Sequence, residues 1–408
     1  MKKLFLFVSL CLCLSACGTF NVNVKVLPTQ VPLLPTAVVT ATSVSIQPTA
    51  TDDVPTASPT RTEFVDQPFA LANIQMTDTS NGWGVDTLGR ILTTNNGAGL
   101  WEDVTPSEES FDRHSLFAFS DKLAWAVSSQ FESSHQVWRT LDGGANWKAS
   151  QPVPLGDGTY APIRLQFPTV NDGWMLLLAE NANDGSRLLL YASHDGGNAW
   201  EQVNTISSGQ ARSYLPVTST DMAFLDGERG WLGGDWANGQ WLMLKTGDGA
   251  ASWGTDSFRL PTDQRGVTCN NNTVPETEPG SMAVEVICTK AKDAKYLYHH
   301  IYYLSKNTGD TWQSWALPGK FLSIDFANMH QGWMVVGTDD PLTNKLISTR
   351  DGGDTWKTLT KVTWQQAQLN FVTDKIGWAL TWNGFTAQLF RTEDTGKTWI
   401  TVRPLLQH

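Results

Sequence analysis

The chain has 408 residues, 41% of them hydrophobic, with 29 lysines and arginines against 40 acids and a formal charge of −11. That length can bury a sizeable core. So acidic a balance argues against nucleic acid or the face of an anionic bilayer as a partner, and is otherwise a matter of solubility.

The first element is Met1-Lys2-Lys3 followed by an apolar run from Leu4 to Leu14. A basic start and a short apolar core read as a secretory signal, too short to span a bilayer. It ends Leu14-Ser15-Ala16-Cys17, which resembles a bacterial lipobox. The resemblance implies that residues 1–16 are removed and that Cys17 becomes the lipidated first residue. Ordinary cleavage beside an incidental cysteine is the alternative; the small residues directly before Cys17 favour lipidation. Removing the signal takes Lys2 and Lys3 and leaves a net charge of −13. No later run of about eighteen apolar residues exists, so the lipid is the expected membrane attachment. The implied location is the outer face of a bacterial membrane, at the cell surface or in the periplasm. Residues 17–65 follow as a stalk, because Pro28, Pro32, Pro35, Pro48, Pro55 and Pro59 among Thr, Ser, Val and Ala favour an extended spacer over regular pairing.

Residues 66–408 are a repeat. Its fullest copies are Thr349-Arg-Asp351-Gly-Gly353-Asp-Thr355-Trp356 and Thr392-Glu-Asp394-Thr-Gly396-Lys-Thr398-Trp399. Good copies run from Thr140 through Asp142 to Trp147 and from Ser193 through Asp195 to Trp200. Weaker ones carry Asp248 and Trp253, or Asn307 and Trp312, and the most degraded carries Asn96 and Trp101. The closing tryptophans recur every 43 to 59 residues. A second landmark precedes most of them: Gly82-Trp83, Ala124-Trp125, Gly173-Trp174, Gly230-Trp231, Gly332-Trp333 and Gly377-Trp378, with none in the fifth unit. Together the two marks use 13 of the 19 tryptophans, so the tryptophan content is a property of the repeat. Trp333-Met334-Val335-Val336 and Lys345–Thr349 read as strands. The sixth unit then gives four, at about Phe321–Phe326, Trp333–Gly337, Lys345–Thr349 and Trp356–Thr360. No stretch has sustained helical periodicity. The prediction is an all-β, seven-bladed β-propeller of four-stranded antiparallel blades.

In each copy a Ser or Thr, an Asp two residues on and a Gly two beyond that can close one hairpin turn, with hydroxyl and carboxylate satisfying its backbone groups. Seven catalytic or metal-binding aspartates are the alternative. Self-closure favours the structural role for Asp142, Asp195, Asp248, Asn307, Asp351 and Asp394. Trp147, Trp200, Trp253, Trp312, Trp356 and Trp399 are expected to anchor the following strands by burial between sheets. The phrase resembles the Asp-box or BNR repeat of sialidases, the sortilin luminal domain, some glucan hydrolases and photosystem II assembly factors. The added Gly-Trp landmark is most similar to the last family, whose members are seven-bladed. The resemblance covers about 66–408 and implies that these turns lie on one face, away from the ligand site.

After processing, Cys269 and Cys288 are the cysteines without an assigned role, and an exported chain with two such residues suggests a disulfide. Adjacent His299-His300 and scattered other histidines form no metal motif, so no metal and no cofactor is expected. The opposite face should receive the long connections 104–116, 150–164, 203–220 and 256–283. Ligand-face candidates there are Phe131, His135, Tyr160, Arg164, Arg212, Tyr214, Trp236, Asp339 and Trp382. A sialidase would need an arginine cluster and a tyrosine nucleophile paired with a carboxylate. The early Arg-Ile-Pro of that family is matched only by Pro162-Ile163-Arg164, which runs in reverse. No catalytic residue is therefore assigned. The expected function is a monomeric, non-enzymatic envelope scaffold for an unidentified protein, with a glycan-binding or sialidase-like glycoside-hydrolase propeller as the alternative.

Overall fold

A computed structural model describes residues 69–407, except 107–108, 129–135, 156–158, 182–184, 208–221, 238–239, 259–267, 271–275, 279–280, 293–294, 306, 308, 318–319, 339 and 385. All the described residues belong to one compact unit, Arg61–His408. Cys17 and the 17–65 stalk lie outside them. Among the described residues no helix is long and apolar enough to cross a membrane.

The strands form seven sheets, numbered here along the chain: 71–103, 116–149, 159–207, 222–258, 268–317, 320–362 and 366–402. In each, four strands lie in chain order, every one antiparallel to its neighbours, and the fold is a β-propeller with four-stranded antiparallel blades. The sixth sheet follows its prediction closely, with strands Lys320–Phe326, Gly332–Gly337, Asn344–Thr349 and Lys357–Val362. The fifth is the irregular one. Residues 256–283, read as one long connection, contain strands Thr268–Asn270 and Glu276–Glu278, both paired with Ser281–Lys292. Cys288 is buried and disulfide-bonded. Cys269 stands opposite it in strand register. Two other predicted connections are shorter than expected, because Thr159–Gln166 and Glu201–Ser207 are strands.

The Gly-Trp landmark is what joins one sheet to the next. Trp83, Trp125, Trp174, Trp231, Trp333 and Trp378 are all 0% exposed. Trp125 stacks on Phe167 of the next sheet at 3.7 Å, Trp174 on Phe224 at 3.7 Å, and Trp333 on Phe371 at 3.6 Å. Indole N–H groups complete the seams. Trp83 donates to Ser120 O at 2.8 Å, Trp125 to Gly196 O at 2.8 Å, Trp333 to Thr395 O at 2.8 Å, and Trp378 to Gly97 O at 3.2 Å. The glycine has a steric cause: a Cβ on Gly230, Gly332 or Gly377 would lie 2.3–2.4 Å from the Phe224, Phe326 or Phe371 ring across the strand pair. Sheet 2 supports this reading, because Ala124, in place of glycine, faces Ala118.

Closing tryptophans behave differently. Trp101 and Trp200 are 1% and 7% exposed, but Trp147, Trp253, Trp312, Trp356 and Trp399 are only half-buried. They cap the outer rims of the seams, so the expectation of full burial between sheets holds for the Gly-Trp set instead.

First strands approach one another around the axis, and side-chain amides satisfy their open edges. Gln75 donates to Leu116 O and accepts from Ala118 N, both at 2.8 Å. Gln166 does the same for Phe224, and Gln368 bridges Ile74 O and N. The ring then closes twice over. Asn370 accepts from Met76 N at 2.5 Å, and Leu405–Gln407 adds a parallel fifth strand to sheet 1 beside Leu100–Glu102.

Candidate functional site

Antiparallel order puts first-to-second and third-to-fourth turns at one end of every sheet. Hydrogen bonds tie the two sets together: Gly143 N donates to Lys122 O, Gly196 N to Asn171 O, Gly249 N to Glu228 O, and Gly352 N to His330 O, at 2.9–3.0 Å. This end is the repeat-turn face. The other end carries second-to-third loops and sheet-to-sheet connections, and the first strand of sheet 1 enters there.

Each repeat turn closes on itself. Thr349 Oγ1 donates to Asp351 Oδ1 at 2.7 Å and accepts from Gly353 N at 2.7 Å. Thr355 N donates to Asp351 Oδ1 at 2.9 Å, and its hydroxyl to Oδ2 at 2.6 Å. Gly352 and Gly353 hold φ of 66° and 92°, a left-handed pair that glycine adopts without a Cβ clash. The same bonds recur around Asp142, Asp195, Asp248, Asn307 and Asp394. The Thr355 hydroxyl, followed by the Thr355 N–H and the Thr349 hydroxyl, holds the Asp351 carboxyl well below the usual carboxylate range. Asn146 lowers the Asp142 carboxyl, and Ser252 that of Asp248. These carboxylates are committed anions rather than proton carriers.

The buried member of the turn is the threonine, not the aspartate. Thr349 is 1% exposed and Gly353 is buried, whereas Asp351 reaches solvent. Thr349→Val should leave the Gly353 N–H unpaired and cost about 1–3 kcal/mol, with Asp351→Ala nearer about 0.5–1.5 kcal/mol, since water replaces part of what the carboxylate accepts. Urea midpoints for the two variants check the order, and a larger loss for Asp351→Ala would reverse it.

The structure disperses the predicted ligand-face residues. Tyr160 is a correction: it is 2% exposed and packs in the core between sheets 2 and 3. The cause is that 159–166 is a strand, so Tyr160 is a core position rather than a loop one. Arg164 lies half-buried beside a bulge in that strand, which also places Pro162 on a sheet edge, where a missing N–H is tolerated. Trp382 is half-buried against the core of the sheet 7–sheet 1 seam. Trp236 pairs with Trp241 at the end of its hairpin. Phe131, His135, Arg212, Tyr214 and Asp339 lie outside the described residues.

Two further arrangements emerge from the fold. Arg139, Lys245 and Arg391 sit 5.4–5.6 Å over the rings of Trp125, Trp231 and Trp378, their strand partners. Each precedes the turn's threonine directly, a positional signal visible in the sequence. On the repeat-turn face, His194 Nδ1 lies 2.9 Å from Asp172 Oδ1, and Thr169 donates to Asp172 Oδ2 at 2.8 Å. The His194 hydrogen bond is the main cause that lowers the Asp172 carboxyl below its ordinary value. Among the described residues no group of three or more His, Cys, Asp or Glu is placed to hold a metal. Tyr191 is buried, its hydroxyl donates to Pro154 O at 2.9 Å, and burial pushes its phenol up to about 12. Burial also raises Tyr303. A tyrosine nucleophile needs the opposite shift.

The fold and these sites define a β-propeller with self-closed repeat turns on one face and elaborated connections on the other. Similar solved structures include a GH74 xyloglucanase from Xanthomonas campestris, 12% identical over 85% of this chain and 55% of that one, with a TM-score of 0.51. The chain thus spans about half of that enzyme. The polysaccharide lyase Uly1 is 9% identical over 82% of this chain and 94% of its own, with a TM-score of 0.50. YCF48 bound to a D1 peptide is 16% identical over 82% and 95%, with a TM-score of 0.49. At such identities the likeness is one of fold alone. No protein-family model matches the chain. No curated protein matches it.

Proposed function

We propose that this chain is an exported, lipid-anchored, seven-bladed propeller that holds a partner protein without transforming it. The observation that carries the reading is the commitment of the repeat carboxylates to their own turns, which leaves a rigid ring bearing loops. Seven sheets, three of whose seams hold a stacked Trp–Phe pair, support the blade number. The Gly-Trp landmark supports kinship with assembly-factor propellers, and Leu14-Ser15-Ala16-Cys17 supports the anchor. The rival reading, a glycan-binding or glycan-cleaving propeller, is favoured by the Asp172–His194 pair, a half-buried carboxylate beside an exposed imidazole.

The test uses the purified full chain in two arms. Sialosides and β-glucans should not be turned over, and affinity capture from envelope extract should recover a specific protein. Turnover lost in Asp172→Asn or Arg164→Ala would overturn the scaffold reading. In the same extracts Cys17→Ser should leave the membrane fraction, since a single acylated residue supplies the whole attachment; retention after a salt wash would mean a second one.

A further inference from the structure

The way the ring closes leaves a groove at the seam between sheets 7 and 1. The fourth strand of sheet 7, Ile400–Val402, is three residues long, because the chain leaves at Arg403-Pro404 to join sheet 1 as Leu405–Gln407. Proline has no N–H with which to continue the ladder. Ile400–Val402 therefore pairs with Leu389, Phe390 and Arg391 of the third strand and no further. The earlier residues of that strand, Thr386, Ala387 and Gln388, have the second strand on one side and, among the described residues, no strand on the other. Beside this open edge lies a cavity of about 540 Å³. Leu71, Leu380 and Leu389, none more than 2% exposed, form its floor, with Phe69 and Ala387 on its walls. Arg403 also lines it, is exposed, and makes no ion pair with a described residue.

We propose that this groove binds an extended segment of a partner protein. The segment adds as a strand to Thr386–Gln388, seats one apolar side chain over Leu71, Leu380 and Leu389, and sets a carboxylate against Arg403. The proposal rests on the protein-binding reading above and gives it a site. An open edge supplies main-chain partners to an added strand, and a pocket beside it reads alternate side chains. A guanidinium with no ion pair among the described residues, in so acidic a molecule, selects for an acid on the incoming strand. A second copy of this chain and the chain's own residues 61–68 are the competing occupants.

The probe is a fluorescent, end-blocked peptide of sequence Thr-Val-Thr-Phe-Thr-Asp-Thr, whose Phe and Asp share one face of an extended strand, titrated against the purified full chain by anisotropy. Saturable binding is expected, weakened about tenfold or more by Ala387→Phe, which fills the cavity, and by Arg403→Glu. Exposed Arg403→Glu keeps the test decisive if Ala387→Phe fails to fold. Replacing the peptide's Asp with Lys should weaken binding to the wild type and restore it to Arg403→Glu. No binding to the wild type, or affinity untouched by both variants, overturns the proposal. Binding that appears only when 61–68 are deleted assigns the groove to the chain itself, and self-association lost in Ala387→Phe assigns it to a second copy; either result overturns it. An envelope partner captured equally by wild type and Arg403→Glu would leave the scaffold reading standing and remove the groove from it.

Discussion

Replacing Trp333 with alanine should lower the unfolding free energy by about 3–5 kcal/mol, and replacing Trp356 should cost clearly less. Both tryptophans belong to sheet 6, so the comparison holds the surroundings nearly constant. Trp333 is 0% exposed, stacks on Phe371 at an interplanar angle of 3°, and donates to Thr395 O. Its removal opens a cavity in the seam and leaves a carbonyl of the neighbouring turn unpaired. Trp356 is half-buried on the rim and meets Phe326 edge-on at 6.2 Å. Equilibrium urea unfolding with an unchanged slope measures both. Equal losses would mean that the repeat's closing residue holds the seams after all.

A second large effect concerns the pair Phe371 and Gly377. Phe371→Ala should cost about 3–5 kcal/mol through the lost stack. Gly377→Ala should cost about 1–3 kcal/mol, because the new Cβ is driven into the ring. The double variant should lose less than the two single losses combined by more than about 0.5 kcal/mol, since the clash vanishes with the ring. Sheet 2 already carries this combination as Ala118 and Ala124. Additive losses would show that the landmark glycine serves something other than the aromatic opposite it.

The fold was legible because its periodic marks are backbone requirements. A turn with two successive left-handed residues needs Gly352-Gly353 or a near substitute, and the threonine and aspartate that close it must stand at fixed offsets. Those constraints are local and survive in every copy, down to Thr94 and Asn96. What the sequence hides are relations between copies. Gln75, Gln166 and Gln368 look like ordinary strand polar residues until a neighbouring first strand is placed beside them. Nothing local distinguishes a half-buried Trp356 from a buried Trp333; only the position of the next sheet does. Leu405–Gln407 is a three-residue strand without alternation or a repeat mark, and its partner lies about three hundred residues away. The candidate site was less legible still. Tyr160 stands in a segment that reads as a connection and folds as a strand, and the groove is made by where Pro404 turns the chain, which no single repeat encodes.

The pairing of Leu405–Gln407 with Leu100–Glu102 also bears on how the molecule can fold. In an open array each unit can form on its neighbour and the growing end is always finished. Here the earliest sheet stays incomplete until the most distant strand arrives, and the amide contacts from Gln368 and Asn370 to Ile74 and Met76 wait for the same event. Loop-closure entropy over such a separation grows only logarithmically, so the delay is kinetic more than energetic. A chain that emerges from its amino end would first form a row of sheets, each made from its own strands, with the seam between the first and the last still open, and only the final strand would turn that row into a single cooperative body.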